Sequence, residues 1–355
     1  MSDPSLPIID SMPLEERLQG ARRFSAAMLA WCRGRGKVII IVHDNPDPDC
    51  LASALALCHL FTNKAGEEPL IAFSGMIGRS ENLIMAKILE IPLVPLEIVD
   101  LADYGVVCML DTQPGTGNNS FDPSAAVDVV IDHHPLRENT KRCRWVDVKE
   151  EYGVTATILY EYLLAHGLYI DTKLATAIFY AIKSDTQDLG REANLPDREA
   201  YLDLFPQVDK QLLYQITNPC QPVEYFRAIR RTLDNARIYD RAIVGYMQRV
   251  AYPELVAEMA DFLLRLEGVD AVLTCGEYLS DLILSIRTNS QEINAGEMVR
   301  RVVKDVGVGG GHTFIGGGKI AALSDEPESL SRLKSLLVER FLVELGVSGI
   351  EPVSI

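Results

Sequence analysis

Apolar and polar positions along the chain repeat one arrangement: a short apolar run, then an acid or an imidazole, then a helical stretch. Val38 to Val42 runs straight into His43, Asp47 and Asp49. Val106 to Leu110 ends at Asp111, and Val127 to Ile131 ends in Asp132, His133 and His134. Apolar, β-branched runs of this length read as strands buried on both faces, as in a parallel sheet. Groups at their carboxyl ends stand where open α/β sheets place ligand sites. Pro46 and Pro48 interrupt helix and ladder, so the first carboxylates sit on a rigid loop.

The spacing between these runs predicts the other elements. Residues 13–32 form an amphipathic helix with Leu14, Leu18, Phe24, Met28 and Trp31 inward. A helix runs from the acidic loop to about Phe61, a strand covers 69–73 and a helix covers 81–89. Helices follow at 153–166 and 171–183, the second closing on Asp185 and Asp188. Residues 190–236 are polar and helical, broken by Pro196, Pro206, Pro219 and Pro222. Beyond them, strands are expected at 241–247, 270–276 and 279–286, with helices at 253–266, 294–306 and 326–345. The segment GVGGGHTFIGGGKI, 307–320, reads as a glycine-rich loop. The fold class is therefore α/β: a parallel-sheet domain over 13–190, a helical connector over 191–235 and a smaller α/β domain over 236–347.

Composition narrows the function. A length of 355 residues suits roughly two domains. A net charge of −16 opposes broad binding of long nucleic acid, which needs a basic face. It leaves room for a small anionic substrate held by metal ions and a few arginines. Seven cysteines without a Cys-x-x-Cys pair argue against a disulfide framework or zinc ribbon and for a reducing cytoplasm. The N-terminus has no basic and apolar signal, and no apolar run approaches the ~20 residues of a membrane span.

His43, Asp47, Asp49, Asp111, His133 and Asp185 supply four carboxylates and two imidazoles. That set suffices for two divalent ions sharing one carboxylate. Two ions about 3.5–4 Å apart can ionise a bridging water and clamp a phosphoryl group. A hard, carboxylate-rich set with some histidine favours Mn²⁺, with Mg²⁺ or Co²⁺ as substitutes. An EF-hand does not fit, because a loop begun at Asn45 has Cys50 where glycine is required. His134 could donate to a leaving or non-bridging oxygen, or serve as a hydrogen-bonding support. The glycine segment is neither a dinucleotide fingerprint, since a match begun at Gly307 ends on His312, nor a Walker A loop. Its backbone amides, with His312, could face a phosphate.

These residues resemble the DHH phosphoesterase family, in its RecJ-like branch with a DHH-associated C-terminal domain. The resemblance lies in HDNPDPD from His43, LDT at Asp111, DHH at Asp132, SDT at Ser184 and GGGH over Gly309, Gly310, Gly311 and His312. It implies a catalytic domain and a smaller substrate domain across a cleft. It implies that His43, Asp47 and Asp111 hold one Mn²⁺ and that Asp49, Asp111, His133 and Asp185 hold another. Asp132 would orient His133, and His134 would act on the transition state. In size the chain is most similar to the compact oligoribonuclease/pAp-phosphatase (NrnA-type) members. It departs from them after GGGH, where it reads TFIGGG. Arg287 is expected to clamp phosphate, and Arg79 with Asn82 to contact substrate. The partner is then a short RNA or nucleotide, not a long polymer or a membrane, and a homodimer is compatible. The leading expectation is a Mn²⁺-dependent phosphohydrolase of short RNA and pAp. A cyclic-dinucleotide phosphodiesterase and a nucleotide sensor without turnover are the alternatives.

Overall fold

The structure, a computed structural model, describes residues 12–355 except 192, 312, 322 and 324–326. The chain divides into two compact units at Pro219/Cys220.

The first unit runs α1 (Leu14–Cys32), β1 (Lys37–Ile41), α2 (Pro48–Ala65), β2 (Leu70–Phe73), α3 (Ser80–Ile88), β3 (Leu93–Pro95), β4 (Tyr104–Leu110), β5 (Val129–Asp132), β6 (Trp145–Val148), α4 (Thr155–Ala165), α5 (Thr172–Asp185), α6 (Leu195–Leu204) and α7 (Lys210–Thr217). Its six strands are ordered β3-β2-β1-β4-β5-β6. Every pairing is parallel, with Ile40 beside Ile71 on one flank and Cys108 on the other. The strand order reverses between β1 and β4, and crevices form at the carboxyl ends of strands at such a point. His43 and Asp111 follow these two strands.

The two faces of this sheet are covered differently. Val38, Ile40, Cys108, Val129 and Ile131 pack under α1, α2, α4 and α5. Ile39, Ile41, Met109 and Val130 pack instead against Phe121, Val127, Leu96 and Leu101 from the connections. The turn-rich stretch after Asp111 therefore serves as cover for the core. Parallel sheets need both faces covered, and here loops do what a second helical layer usually does.

The second unit runs α8 (Val223–Asn235), β7 (Arg237–Tyr239), β8 (Ala242–Arg249), α9 (Glu254–Leu263), β9 (Ala271–Tyr278), β10 (Asp281–Thr288), α10 (Ala295–Val302), β11 (Val308–Gly311), β12 (Ile315–Ile320), α11 (Pro327–Glu344) and β13 (Val353–Ser354). Its strands are ordered β11-β12-β10-β9-β8-β7-β13, antiparallel except for β8 with β9. α10 and α11 cover one face, through Val299, Val302, Leu337 and Phe341. α8 and α9 cover the other, through Ala228, Val256, Met259, Ala260 and Leu263.

Two expectations change. The segment 191–235 is not one connector: α6 packs on α5 and α7 on α3, while α8 packs on β8. The glycine segment is a paired hairpin, with Gly309 beside Gly318 and Gly311 beside Gly316. The glycines are there because α10 lies close. A Cβ on Gly318 would stand 3.0 Å from Val299, and one on Gly316 would stand 2.4 Å from the Ala295 carbonyl oxygen.

Backbone approach is tighter still where β4 begins. A Cβ on Gly105 would stand 1.7 Å from the Arg35 carbonyl oxygen, whereas one on Gly20, inside α1, would meet nothing within 4 Å. Gly105→Ala should therefore cost about 3 kcal/mol, since the backbone must shift. Gly20→Ala should instead add about 0.5–1 kcal/mol by restricting the unfolded chain and favouring helix. Urea titration of both variants checks this, and equal midpoints would contradict it.

Candidate metal centre

The loop after β1 is held from several sides. Asp47 caps α2, accepting from the amides of Asp49 at 3.0 Å and Cys50 at 3.1 Å. Pro48 occupies the first turn, where no amide donor is needed. Asn45 adopts a left-handed conformation, φ 57°, and accepts from Met76 N at 2.8 Å. Asn82 is buried, and its Nδ2 donates to the Pro46 carbonyl at 3.2 Å. Asn82 thus steadies the loop from behind, and it also lines the cavity that Arg79 borders. Asp44 accepts from Ser120 N at 2.9 Å, which ties the loop to the β4–β5 connection.

Asp111 is the centre of the cluster. It is 2 % exposed and left-handed, φ 57°. A non-glycine residue in that region carries strain, and such strain gathers at functional sites. Its Oδ2 lies 3.5 Å from His43 Nε2, and its Oδ1 lies 3.5 Å from His133 Nε2. His43 Nε2 also stands 3.4 Å from Asp47 Oδ1, and His133 Nε2 stands 3.9 Å from Asp49 Oδ2. The ligating atoms of Asp49, His133 and Asp185 fall within 4.8 Å of one another. All six residues expected as metal ligands are thus brought together around Asp111.

The ring tautomers suit ligation. His43 Nδ1 donates to the Asp44 carbonyl at 2.9 Å, and His133 Nδ1 to the Tyr152 carbonyl at 3.2 Å. Each leaves Nε2 facing the carboxylates, the atom through which a ligating histidine meets its ion. The 3.4–3.9 Å separations suit two ligands that share one ion at about 2.0–2.2 Å each.

Electrostatics point the same way. Burial, then the charges of Asp111 and its neighbours, push the carboxyls of Asp49 and Asp185 well above the usual range. Burial pushes Asp111 up too, but the imidazoles of His43, His134 and His133 outweigh it and hold that carboxyl down. Packed carboxylates that resist ionising together form an anionic pocket that divalent cations neutralise.

Asp132 has a different partner from the one expected. Its Oδ1 accepts from His134 Nδ1 at 2.8 Å, while its Oδ2 accepts from Gln113 Nε2 at 2.7 Å. It therefore orients the imidazole of His134; for His133 it accepts only the backbone amide, at 2.8 Å. Burial lowers the His134 pKa, but the bond to Asp132 and the charge of Asp111 outweigh this and raise it to about 9.

Several supporting residues have no signal in the sequence. Thr155 Oγ1 donates to Asp111 Oδ1 at 2.8 Å. The amides of Thr155 and Ala156, opening α4, donate to Asp49 at 2.8 and 2.7 Å. Gln113 accepts from Arg137 N and Thr140 Oγ1, both at 2.8 Å, so it buttresses Asp132. Cys50 is buried, and its Sγ groups with His43 and Asp47 at metal-ligating spacing.

Of the residues expected to contact substrate, Arg79 and Asn82 belong to the first unit, and Arg287 and the glycines to the second. Arg79 precedes α3 and, with Glu81, Tyr180, Lys183 and Ser184, lines a cavity of about 330 Å³ in the first unit. Arg287 is 6 % exposed inside the second unit. Its Nε donates to Asp261 at 2.8 Å, and its Nη1 to Ser285 Oγ at 2.8 Å and the Ile286 carbonyl at 3.1 Å. These bonds staple β10 to α9. Gly309, Gly310 and Gly311 form β11, and His312 lies outside the described residues.

Residues 37–182 match the DHH family, N-terminal domain, and residues 240–339 match the DHHA1 domain. An uncharacterised protein of Methanocaldococcus jannaschii is 32 % identical over 317 residues, which is 88 % of this chain. The chain spans 64 % of that relative's length. A probable manganese-dependent inorganic pyrophosphatase of Staphylococcus saprophyticus is 29 % identical over 151 residues, 42 % of this chain and 48 % of that protein. Among solved structures, an exopolyphosphatase-related protein from Bacteroides fragilis superposes with a TM-score of 0.71 at 14 % identity, covering 93 % of this chain and 97 % of that one. RecJ of Thermus thermophilus in complex with Mn²⁺ superposes with a TM-score of 0.52 at 17 % identity, covering 95 % of this chain and 56 % of that one. At these identities the structural likeness is one of fold.

The crowding of these groups links metal binding to pH. The raised His134 pKa stabilises the metal-free protein below about 6.5, and that contribution is lost as pH rises through about 9. Asp49 and Asp185, also raised, bind protons more tightly folded than unfolded, so rising pH costs stability there too. Divalent cations replace those protons. The melting temperature gained on adding saturating Mn²⁺ should therefore be larger at pH 8 than at pH 6. Thermal melts with and without the ion test this, and a larger gain at pH 6 would contradict it.

Proposed function

We propose, for a chain that belongs to the DHH family of phosphoesterases and carries its DHHA1 domain, a manganese-dependent hydrolysis of short oligoribonucleotides and of pAp. The observation that carries this reading is Asp111, with one carboxylate oxygen on His43 and the other on His133. In this reading His43, Asp47 and Asp111 hold one ion, and Asp49, Asp111, His133 and Asp185 hold the second. Such ions neutralise phosphoryl oxygens and lower the pKa of water.

The chain's own groups do the rest. Asp132 holds His134 through Nδ1, which keeps the ring charged and presents Nε2 as a donor to a phosphoryl or leaving oxygen. Gln113 keeps Asp132 from turning away. Arg79 and Lys183, on the cavity beside Asp185, offer cations to a second phosphate such as that of pAp. Gly309, Gly310, Gly311 and His312 are assigned to the nucleoside end, as the resemblance in GGGH implies. The acidic net charge favours small substrates over long polyanions.

The test is a panel of diadenylate, pAp, cyclic di-AMP, pyrophosphate and RNAs up to 24 nucleotides, each with Mn²⁺. Diadenylate and pAp should turn over fastest. His134→Ala should lower kcat by about 10²-fold or more while keeping its manganese, because the imidazole acts on the transition state. Asp111→Ala should lose ions from both sites. Turnover of pyrophosphate alone, or of cyclic di-AMP before diadenylate, would replace this reading. A rate that climbs with RNA length would overturn it.

A further inference from the structure

The second unit holds a partly open cavity that none of the residues assigned above lines. It measures about 330 Å³ and is bordered by the first turns of α8, the end of β8 and the start of α9. Small-molecule sites occupy roughly 300–1,000 Å³, so this one is the size for a single nucleotide and not for a polymer. Arg227 and Arg231 face it from α8 and Arg249 from β8, with Tyr225 and Tyr252 as aromatic walls.

The charge here runs against the rest of the chain. Six arginines fall between residues 227 and 249 against two acids, Asp234 and Asp240, in a chain of net charge −16. Glu224, also on the lining, is engaged with Arg227 at 3.1 Å in an exposed i,i+3 pair. Arg231 is different: its Nε is buried and has no hydrogen-bond partner among the described residues. A buried guanidinium donor without an acceptor is costly to leave unmade. An anion in the cavity would supply that acceptor. Guanidinium groups beside aromatic faces suit a phosphate joined to a base, through charge-assisted bonds and stacking.

The cavity is separate from the glycine hairpin. β10 and β9 lie between β12 and β8 in the sheet. The glycines pack on α10, on the face opposite α8 and α9. No group of acids, histidines or cysteines at metal-ligating spacing accompanies the cavity among the described residues.

We propose that this cavity binds a nucleoside monophosphate, with its base against Tyr225 and Tyr252 and its phosphate on Arg231 and Arg249. It is then a second nucleotide site, built wholly within the second unit.

Photolabelling tests this. The full chain, treated with EDTA so that nothing is hydrolysed, is irradiated with 8-azidoadenosine 5′-monophosphate and its peptides are mapped by mass spectrometry. Label should appear on the peptides holding Tyr225 or Tyr252 and be competed by AMP well before adenosine. The Arg231→Gln/Arg249→Gln double variant should lose that label about tenfold at an unchanged melting temperature. If the double variant does not fold, exposed Arg249→Gln alone should cut labelling about threefold. Label confined to the metal loop or to residues 308–320 would overturn the proposal. So would labelling that ignores the substitutions, or competition by inorganic phosphate as strong as that by AMP.

Discussion

Mutual repulsion among crowded carboxylates, two of them fully buried, is the constraint around which the first unit is arranged. Asp47, Asp49, Asp111 and Asp185 converge at the carboxyl ends of β1 and β4 and at the end of α5. Left alone, such a group would protonate or push apart. The chain prevents this with fixed dipoles and imidazoles. The start of α4 donates two amides to Asp49, and three histidines gather on Asp111. Asp47 spends one oxygen capping α2. Each neighbour that steadies a carboxylate also anchors an element, so the centre and the fold constrain one another.

The same logic explains why the supporting layer is polar yet buried. Gln113, Thr140 and Thr155 are all almost inaccessible. Their hydrogen bonds fix rotamers of groups that touch the centre, and a buried network of this kind is stable only when every member is satisfied. Asp132 is its hub: it takes His134 on one oxygen and Gln113 on the other. A rigid His134 is what a group acting on a transition state needs, because misplacement by an ångström is costly.

Much of this was legible in the sequence, and the reason is local. Strands buried on both faces must be nearly continuous apolar runs, so β1, β4 and β5 announced themselves and carried their terminal acids with them. The six clustered ligands could be read from those ends and from Asp185 after α5. What could not be read depends on contacts between distant segments. Thr155 and Gln113 look like ordinary helix-start and turn residues until α4 and β5 bring them in. Strands β3, β7 and β13 are two or three residues long and lie at or near sheet edges, too short for any period to show. Arg287 ends an apolar strand, which suggested a free cation, but only the packing of α9 supplies Asp261. Likewise the glycines of 307–320 suggested looseness, whereas the approach of α10 makes them a packed hairpin.

The spread of the ligands along the chain has a consequence for biogenesis. β1 pairs with β4 across more than sixty residues, as Lys37 beside Tyr104, and the last carboxylate of the cluster is Asp185. Parallel strands cannot close as hairpins, and such distant pairings make for slow folding. A chain emerging from the ribosome presents His43, Asp47 and Asp49 long before Asp111, His133 or Asp185 exist. Those first groups cannot make the shared coordination that Asp111 provides. The full ligand set is assembled only when nearly the whole first unit has been synthesised and its strands have docked. The complete centre is thus a property of the finished sheet, since no shorter segment of the chain carries all six ligands.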